Sequence, residues 1–192
     1  MAKKKVGFID WLQTGLIRLC RVHFVFVGVY TIYTIAADAT KLTTPHLVLQ
    51  RWEANAALLV GVSIIWYLAR NKVANSNYYR ILIYILLTLD ISMASFNIYT
   101  QRGMASRAVA LFALAIVSST ILLSRTALFL TATVSTAAYS VAAVKYFVDF
   151  FNEGYKAELY IEVAFYCAIF FILAALLSIV IRFKNGESDL GL

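Results

Sequence analysis

Mainly apolar runs of 14 to 22 residues recur along the chain, separated by short stretches that hold most of the charged residues. A helix needs roughly 17 to 25 such residues to cross a bilayer, and only the second run is shorter than that. We predict six transmembrane helices, at Leu16–Ala37, Asn55–Leu68, Ile81–Tyr99, Ala108–Ser124, Thr126–Val144 and Tyr160–Ile181. No connecting segment exceeds 17 residues. The pattern therefore predicts an all-α polytopic membrane bundle with no separate soluble domain.

Charged residues mark the segments outside the bilayer at both ends of the chain. We predict a cytoplasmic or interfacial segment at residues 1–15, the six-helix domain at 16–182 and a short cytoplasmic tail at 183–192. Apolar residues spaced three or four apart within Gly7–Leu19 indicate an interfacial helix leading into the first span. The triplet Ala37-Asp38-Ala39 imitates a signal-peptidase site, but basic residues reach as far as Arg21, which is long for a signal peptide. We therefore expect the first span to be retained.

Arg125 lies between two uncharged runs of 17 and 19 residues. Read as one helix, this stretch would be about 55 Å long, nearly twice the roughly 30 Å of a hydrocarbon core. We predict that Arg125 lies in a tight turn between two spans. An arginine inside the bilayer facing a polar cavity is the alternative.

Composition supports the membrane assignment. Hydrophobic residues make up 62% of the chain, charged residues 14%, and the mean hydropathy is +0.79, which excludes a soluble domain. Of the 17 Lys and Arg residues, eleven fall on one side of the predicted bundle and six on the other. The six are Lys41, Arg51, Arg102, Arg107, Lys145 and Lys156. The positive-inside rule then places both termini in the cytoplasm. This topology accounts for most of the net charge of +7, so we expect the lipid bilayer as a partner and no nucleic acid.

Catalytic chemistry is poorly represented. The chain has no nucleophile-elbow, zincin, P-loop or dinucleotide-binding motif, and Cys20, Cys167, His23 and His46 have no partners at metal or cofactor spacing. The sequence predicts no disulfide, metal, cofactor or enzymatic activity.

Asp90 is the one acidic residue at the middle of a predicted span, and Asn97 falls seven residues later on the same helical face. These two residues are candidates for ligand binding, and hydrogen bonding that only fixes helix packing is the equal alternative.

The fifth predicted span is rich in small residues. Ala127, Thr131 and Ser135 follow one another at four-residue intervals, which allows a neighbouring helix to approach closely. We predict that this helix lies inside the bundle and serves assembly, either within the chain or in a homo-oligomer.

The region from residue 90 to 140 resembles a known family, the six-helix membrane sensor region of bacterial histidine kinases, including those that regulate type IV pili. The resemblance rests on Asp90, Tyr99-Thr100-Gln101-Arg102-Gly103, Ser106, Leu122-Leu123-Ser124-Arg125, Ala127-Leu128, Ala132, Ser135 and Tyr139. Two positions depart from it: Arg102 precedes Gly103 where relatives tend to have Gly-Gly, and Arg107 stands where they have proline. The resemblance supports the turn at Arg125.

The resemblance implies a multi-pass protein of the bacterial cytoplasmic membrane with a non-catalytic sensory role. The kinase core is expected to be absent, because only about ten residues follow the last span. Such a module would act on a signalling partner at its cytoplasmic face through helix movements. A substrate-binding membrane subunit of a small-molecule transporter is the alternative, although the chain has a single proline and so lacks the broken helices of many transport sites.

Overall fold

The computed structural model describes residues 2–40, 44–100, 106, 108–152, 154 and 156–187, with side chains within 7–181. Its helices are α1 (Ala2–Ala39), α2 (Pro45–Ala69), α3 (Ser76–Thr100), α4 (Val109–Ser118), α5 (Arg125–Phe151) and α6 (Ala157–Glu187). A 3₁₀ turn at Ser119–Leu122 extends α4. The described residues contain no strand, so the all-α fold class is confirmed. Five of the helices, all except α4, are long and apolar enough to cross a membrane.

Most helices extend beyond the apolar runs that predicted them. The second span was expected from Asn55, but α2 begins ten residues earlier at Pro45. Proline is favoured in the first turn of a helix, where its missing N–H is not needed, and Thr44 before it is extended. Likewise α5 runs seven residues past Val144 to Phe151, and Asn152 then ends it in a left-handed conformation. Polar residues near the end of a span end the apolar run but not the helix, because backbone hydrogen bonding continues through them.

The fourth element is shorter than its apolar run. Its ten α-helical and four 3₁₀ residues measure about 23 Å. The Ser119 and Thr120 hydroxyls donate to carbonyl oxygens three residues earlier, both at 2.7 Å, where the helix tightens. Leu123 then adopts a φ of 50°, which stops the helix. The predicted 17-residue span is therefore a 14-residue helix.

The amino-terminal segment and the first span form one continuous helix. α1 has 38 residues, about 57 Å at the usual helical rise. The predicted interfacial part, Gly7–Leu19, runs into the span without a break. Its buried positions, Leu12, Leu16, Leu19, Cys20 and His23, continue at spacings of three and four.

The chain divides into two compact units, residues 1–89 and 90–192, so that α3 contributes to both. In the first unit α1 packs along α2. Gln13 of α1 donates to the carbonyl of Ala69 at the end of α2, at 3.0 Å. The turn that follows is held by Tyr79, whose hydroxyl donates to Asn71 O and accepts from Val73 N.

In the second unit α4, α5 and α6 pack against one another. Their core is aromatic: the rings of Phe112, Tyr139 and Phe170 lie 5.5–5.9 Å apart, and Tyr166 packs on Tyr139 at 5.7 Å. Edge-on and tilted ring pairs of this kind fix the packing of the three helices more narrowly than aliphatic contacts would.

Candidate ligand site on the third and fifth helices

The predicted pair on α3 is buried. Asp90 is 5% exposed and Asn97 is 1% exposed, and Ala94 lies between them on the same face with no exposure. The Asn97 amide donates to the carbonyl of Met93 at 2.8 Å, within its own helix. Asp90 and Asn97 both have interaction partners within the protein. Asp90 is also the first residue of the second unit. The buried face formed by Asp90, Ala94 and Asn97 therefore belongs to the part of α3 that lies in the second unit.

The small residues predicted on α5 are also buried. Ala127, Thr131 and Ser135 all lie on the face of α5 that is hidden from solvent. The Thr131 hydroxyl donates to Ala127 O at 2.8 Å, which satisfies it within the helix. Ser135 has no hydrogen-bond partner for its hydroxyl.

Two further hydroxyls extend the unsatisfied face of α5. Thr136 Oγ1 and the Tyr139 hydroxyl are shielded from solvent and, like Ser135 Oγ, have no hydrogen-bond partner. Three such groups within five residues form a polar patch that water or a small hydrogen-bonding ligand would stabilise. Neither Thr136 nor Tyr139 is a site residue predicted from the sequence. The sequence feature that could have indicated them is the recurrence of about one hydroxyl residue per helical turn in α5, but this pattern also fits ordinary helix packing.

Arg125 is placed at the start of a helix. It is exposed and is the first residue of α5, directly after the left-handed Leu123 and the extended Ser124. The Ser124 hydroxyl accepts a hydrogen bond from Ala127 N at 3.3 Å and so caps the helix. The arginine therefore lies at the junction of α4 and α5, as the first residue of α5.

A groove of about 500 Å³ separates α3 from α5 on another face of the second unit. Its walls are almost entirely apolar, with Ser95 and Phe96 from α3 and small or branched residues of α5, namely Val134, Ala137, Ala138, Val141 and Ala142. None of the predicted site residues lines this groove. It could not be predicted from the sequence, since a groove depends on how two helices diverge.

The groove ends at a polar cluster. Tyr99 donates to Asp149 Oδ2 at 2.9 Å, and Lys145 Nζ lies 2.8 Å from the same oxygen. Lys145 is also 5.8 Å from the centre of the Tyr99 ring. The side chain of Lys145 is 60% exposed, so this ion pair contributes little to stability but marks the end of the groove with charge. An apolar groove with a charged end suits an amphiphilic molecule.

Among the described residues no group of three His, Cys, Asp or Glu side chains could hold a metal ion. Both cysteines are free thiols. Gln101, Arg102 and Gly103 from the motif that carries the family resemblance, and Arg107, which departs from it, lie outside the described residues.

Comparison with known proteins identifies a family model that matches most of the chain. The family model described as the PilS-like transmembrane domain, a six-helix membrane domain, matches residues 10–190. No curated protein and no solved structure matches the chain.

Proposed function

Because the chain belongs to the family of PilS-like transmembrane domains, we propose that it is a non-catalytic sensory module of the bacterial inner membrane that controls a signalling partner. The observation that carries this proposal is the family match, which covers nearly the whole chain, residues 10–190. The helical architecture agrees with it, since five helices have the length and apolarity of membrane spans.

The stimulus is proposed to act on the buried polar face that begins at Asp90. A carboxylate within a membrane helix is costly, and such groups are retained where they bind a ligand or move a proton. Asp90 lies in α3, the one helix shared by both compact units. A ligand that changed the interactions of Asp90 or Asn97 would therefore act on α3, and a movement of α3 would affect both units. The small face of α5, with Ala127, Thr131 and Ser135, would allow α5 to shift against its neighbours at low steric cost.

The orientation proposed from the basic residues puts both termini in the cytoplasm, with Arg125 on the same side. The signalling partner would then meet the ends of α1 and α6 or the junction of α4 and α5. A homo-oligomer formed through membrane helices is compatible with this arrangement.

The direct test is purification from native membranes in mild detergent through a carboxy-terminal tag, followed by mass spectrometry of proteins and small molecules that accompany the chain. A kinase, cyclase or response regulator among them is the expected result. A transport ATPase or its coupling subunit would overturn the sensory role in favour of substrate capture by a transporter. An unrelated six-helix protein carrying the same tag identifies proteins that bind the resin or detergent.

A further inference from the structure

Arg51 is a buried cation on α2 with unused hydrogen-bond donors. The residue is 3% exposed, and its Nε and Nη1 atoms are shielded from solvent with no hydrogen-bond partner. Tyr33 of α1 lies 5.4 Å from the guanidinium, which favours the positive charge through the ring face but accepts none of its N–H groups. Arginine does not lose its proton in proteins, so burial cannot be relieved by neutralisation. A buried, uncompensated charge is among the most unfavourable features a fold can contain.

Asn55 supplies an unused acceptor one helical turn from Arg51. It is 5% exposed, and its Oδ1 has no hydrogen-bond partner. The orientation of its amide follows from the neighbouring bonds. Thr31 donates its hydroxyl proton to Val27 O at 2.8 Å, so Thr31 Oγ1 can only accept, and Asn55 Nδ2 donates to it at 2.7 Å. This bond fixes the orientation of the amide, so that Oδ1 points away from Thr31 within the amide plane and is left without a donor.

We propose that Arg51 and Asn55 form a binding site for an oxyanion that also carries a hydroxyl donor, the chemistry of a phosphoglycerol group. The oxyanion accepts from the Arg51 N–H groups and supplies the missing negative charge, and the hydroxyl donates to Asn55 Oδ1. Bound water would satisfy the same hydrogen bonds but not the charge. The site is independent of the sensory role and of the face around Asp90.

The aromatic residues beside the site indicate where the ligand comes from. Trp52 and Tyr33 are 39% and 46% exposed, and both residue types concentrate at the headgroup level of membranes. Arg51 is also less than two turns from the start of α2 at Pro45. A phosphatidylglycerol headgroup and a soluble glycerol phosphate carry the same two groups, so each is a candidate ligand.

The test uses the full chain, purified in a neutral detergent and stripped of lipid. Native mass spectrometry and thermal unfolding are followed during titration with phosphatidylglycerol, with phosphatidylcholine, which has a phosphate but no hydroxyl, and with glycerol 3-phosphate. Wild type is expected to prefer phosphatidylglycerol. Arg51→Met is expected to bind it about tenfold or more weakly, because hydrogen bonds to a charged group are lost. Binding of glycerol 3-phosphate at comparable affinity would assign the ligand to the soluble pool rather than the membrane and would still support the site.

Arg70→Met is the matched control. Arg70 stands at the other end of α2, is exposed, and also lies against an aromatic ring, that of Trp66 at 4.6 Å. The variant loses the same charge and should bind as wild type does. Asn55→Asp is the second variant, in case Arg51→Met does not fold. It places a carboxylate one turn from Arg51, so the chain supplies its own anion and phosphatidylglycerol binding should fall about tenfold. Equal affinity of wild type for both phospholipids, or unchanged binding by Arg51→Met or Asn55→Asp, would overturn the proposal.

Discussion

Asp90 is the residue whose charge we expect to matter most for signalling. Asp90→Asn keeps the shape of the side chain but replaces the carboxyl group, which is costly to bury in α3, by a neutral amide. We expect normal yield and thermal stability but loss of the response of whichever partner is recovered with the chain. The measurement is partner output in cells beside unfolding of the purified variant.

Asp10→Asn is the control for that experiment, since Asp10 is an exposed carboxylate on α1. Its output should match wild type. If Asp90→Asn instead lost expression, Asp90 would serve packing. If it kept both folding and output, neither role would hold.

Single residues also show what the sequence can and cannot reveal. Asp90 could be selected from sequence because apolar residues surround it, and a charge in such a run is conspicuous. Arg51 could not, because Trp52 and Glu53 follow it and the three together have the composition of a membrane interface. Its burial depends on the packing of α1 beside α2, which places Tyr33 under the guanidinium. The unsatisfied hydroxyls of Thr136 and Tyr139 are likewise visible only in the packed bundle.

At the level of elements, the start of α5 depends on Ser124. Its side chain accepts from Ala127 N, and Ser124→Ala removes that bond, which should lower the free energy of unfolding by about 1 kcal/mol. Ser124→Asp should retain the stability, because a carboxylate caps a helix N-terminus equally well. Thermal unfolding in detergent measures both variants. Thr126→Ala, an exposed change in the same first turn, is the control, and an equal loss there would remove the case for a specific cap.

The Leu89 side chain of α3 packs against Gly61 of α2. A Cβ placed there would lie 2.7 Å from Leu89 Cδ1, which is too close for carbon atoms, so Gly61→Ala forces Leu89 to move. Overpacking of this kind costs about 1 to 3 kcal/mol and helix propensity returns up to about 1 kcal/mol, so we expect a net loss of up to about 2 kcal/mol in the free energy of unfolding. The double variant Gly61→Ala with Leu89→Ala should lose less than the sum of the two single changes, because the clash is removed.

Gly28 is the matched control for this contact. It is an exposed glycine inside α1, and no atom lies within 4 Å of the position that an added methyl group would take. Gly28→Ala should therefore raise the free energy of unfolding by up to about 1 kcal/mol through helix propensity alone. Chemical unfolding of the purified variants measures all four changes. Stabilisation by Gly61→Ala would contradict the expected clash and show that the Leu89 side chain moves aside at little cost.

The number and order of the helices could be predicted from apolar runs, because every apolar run had to be buried in a helix, whether against lipid or protein. Their ends could not. Backbone hydrogen bonds carry α2 and α5 through polar residues that interrupt the runs, whereas Leu123 stops α4 inside an uncharged one. Neither effect is encoded in hydropathy. Arg18 and Arg21 likewise lie inside α1 without interrupting it.

For the whole molecule, the family match confirms the resemblance and extends it. The residues that carry the resemblance lie within 90–140, but the PilS-like transmembrane domain covers residues 10–190. The amino-terminal half therefore belongs to the same domain even though it carries none of the residues that first indicated it. Its pattern was too general to identify a family, because apolar helices of many membrane proteins share it.

The orientation of the whole chain depends on α4. At about 23 Å it is shorter than a hydrocarbon core of roughly 30 Å, yet whether it crosses decides the side on which α5, α6 and the carboxy terminus lie. A mismatch of this size costs only fractions of a kcal/mol per Å and can be met by local thinning of the bilayer. The exposed Arg125 after it favours crossing, because its positive charge is retained in the cytoplasm. We therefore expect α4 to span.

Paired fusions test this prediction, with alkaline phosphatase active only outside the cytoplasm and green fluorescent protein fluorescent only inside it. Phosphatase should be active after Thr40, Ser106 and Asn152, and fluorescence should appear after Asn75, Ser124 and Leu192. Fusions after Thr40 and Asn75 lie before α4 and serve as the internal control, since their signals do not depend on it. If α4 did not cross, the fusion after Ser124 would report the same side as that after Ser106, and the signals after Asn152 and Leu192 would exchange. That result would put the two termini on opposite sides of the membrane and leave a cytoplasmic partner access to α1 but not to the end of α6.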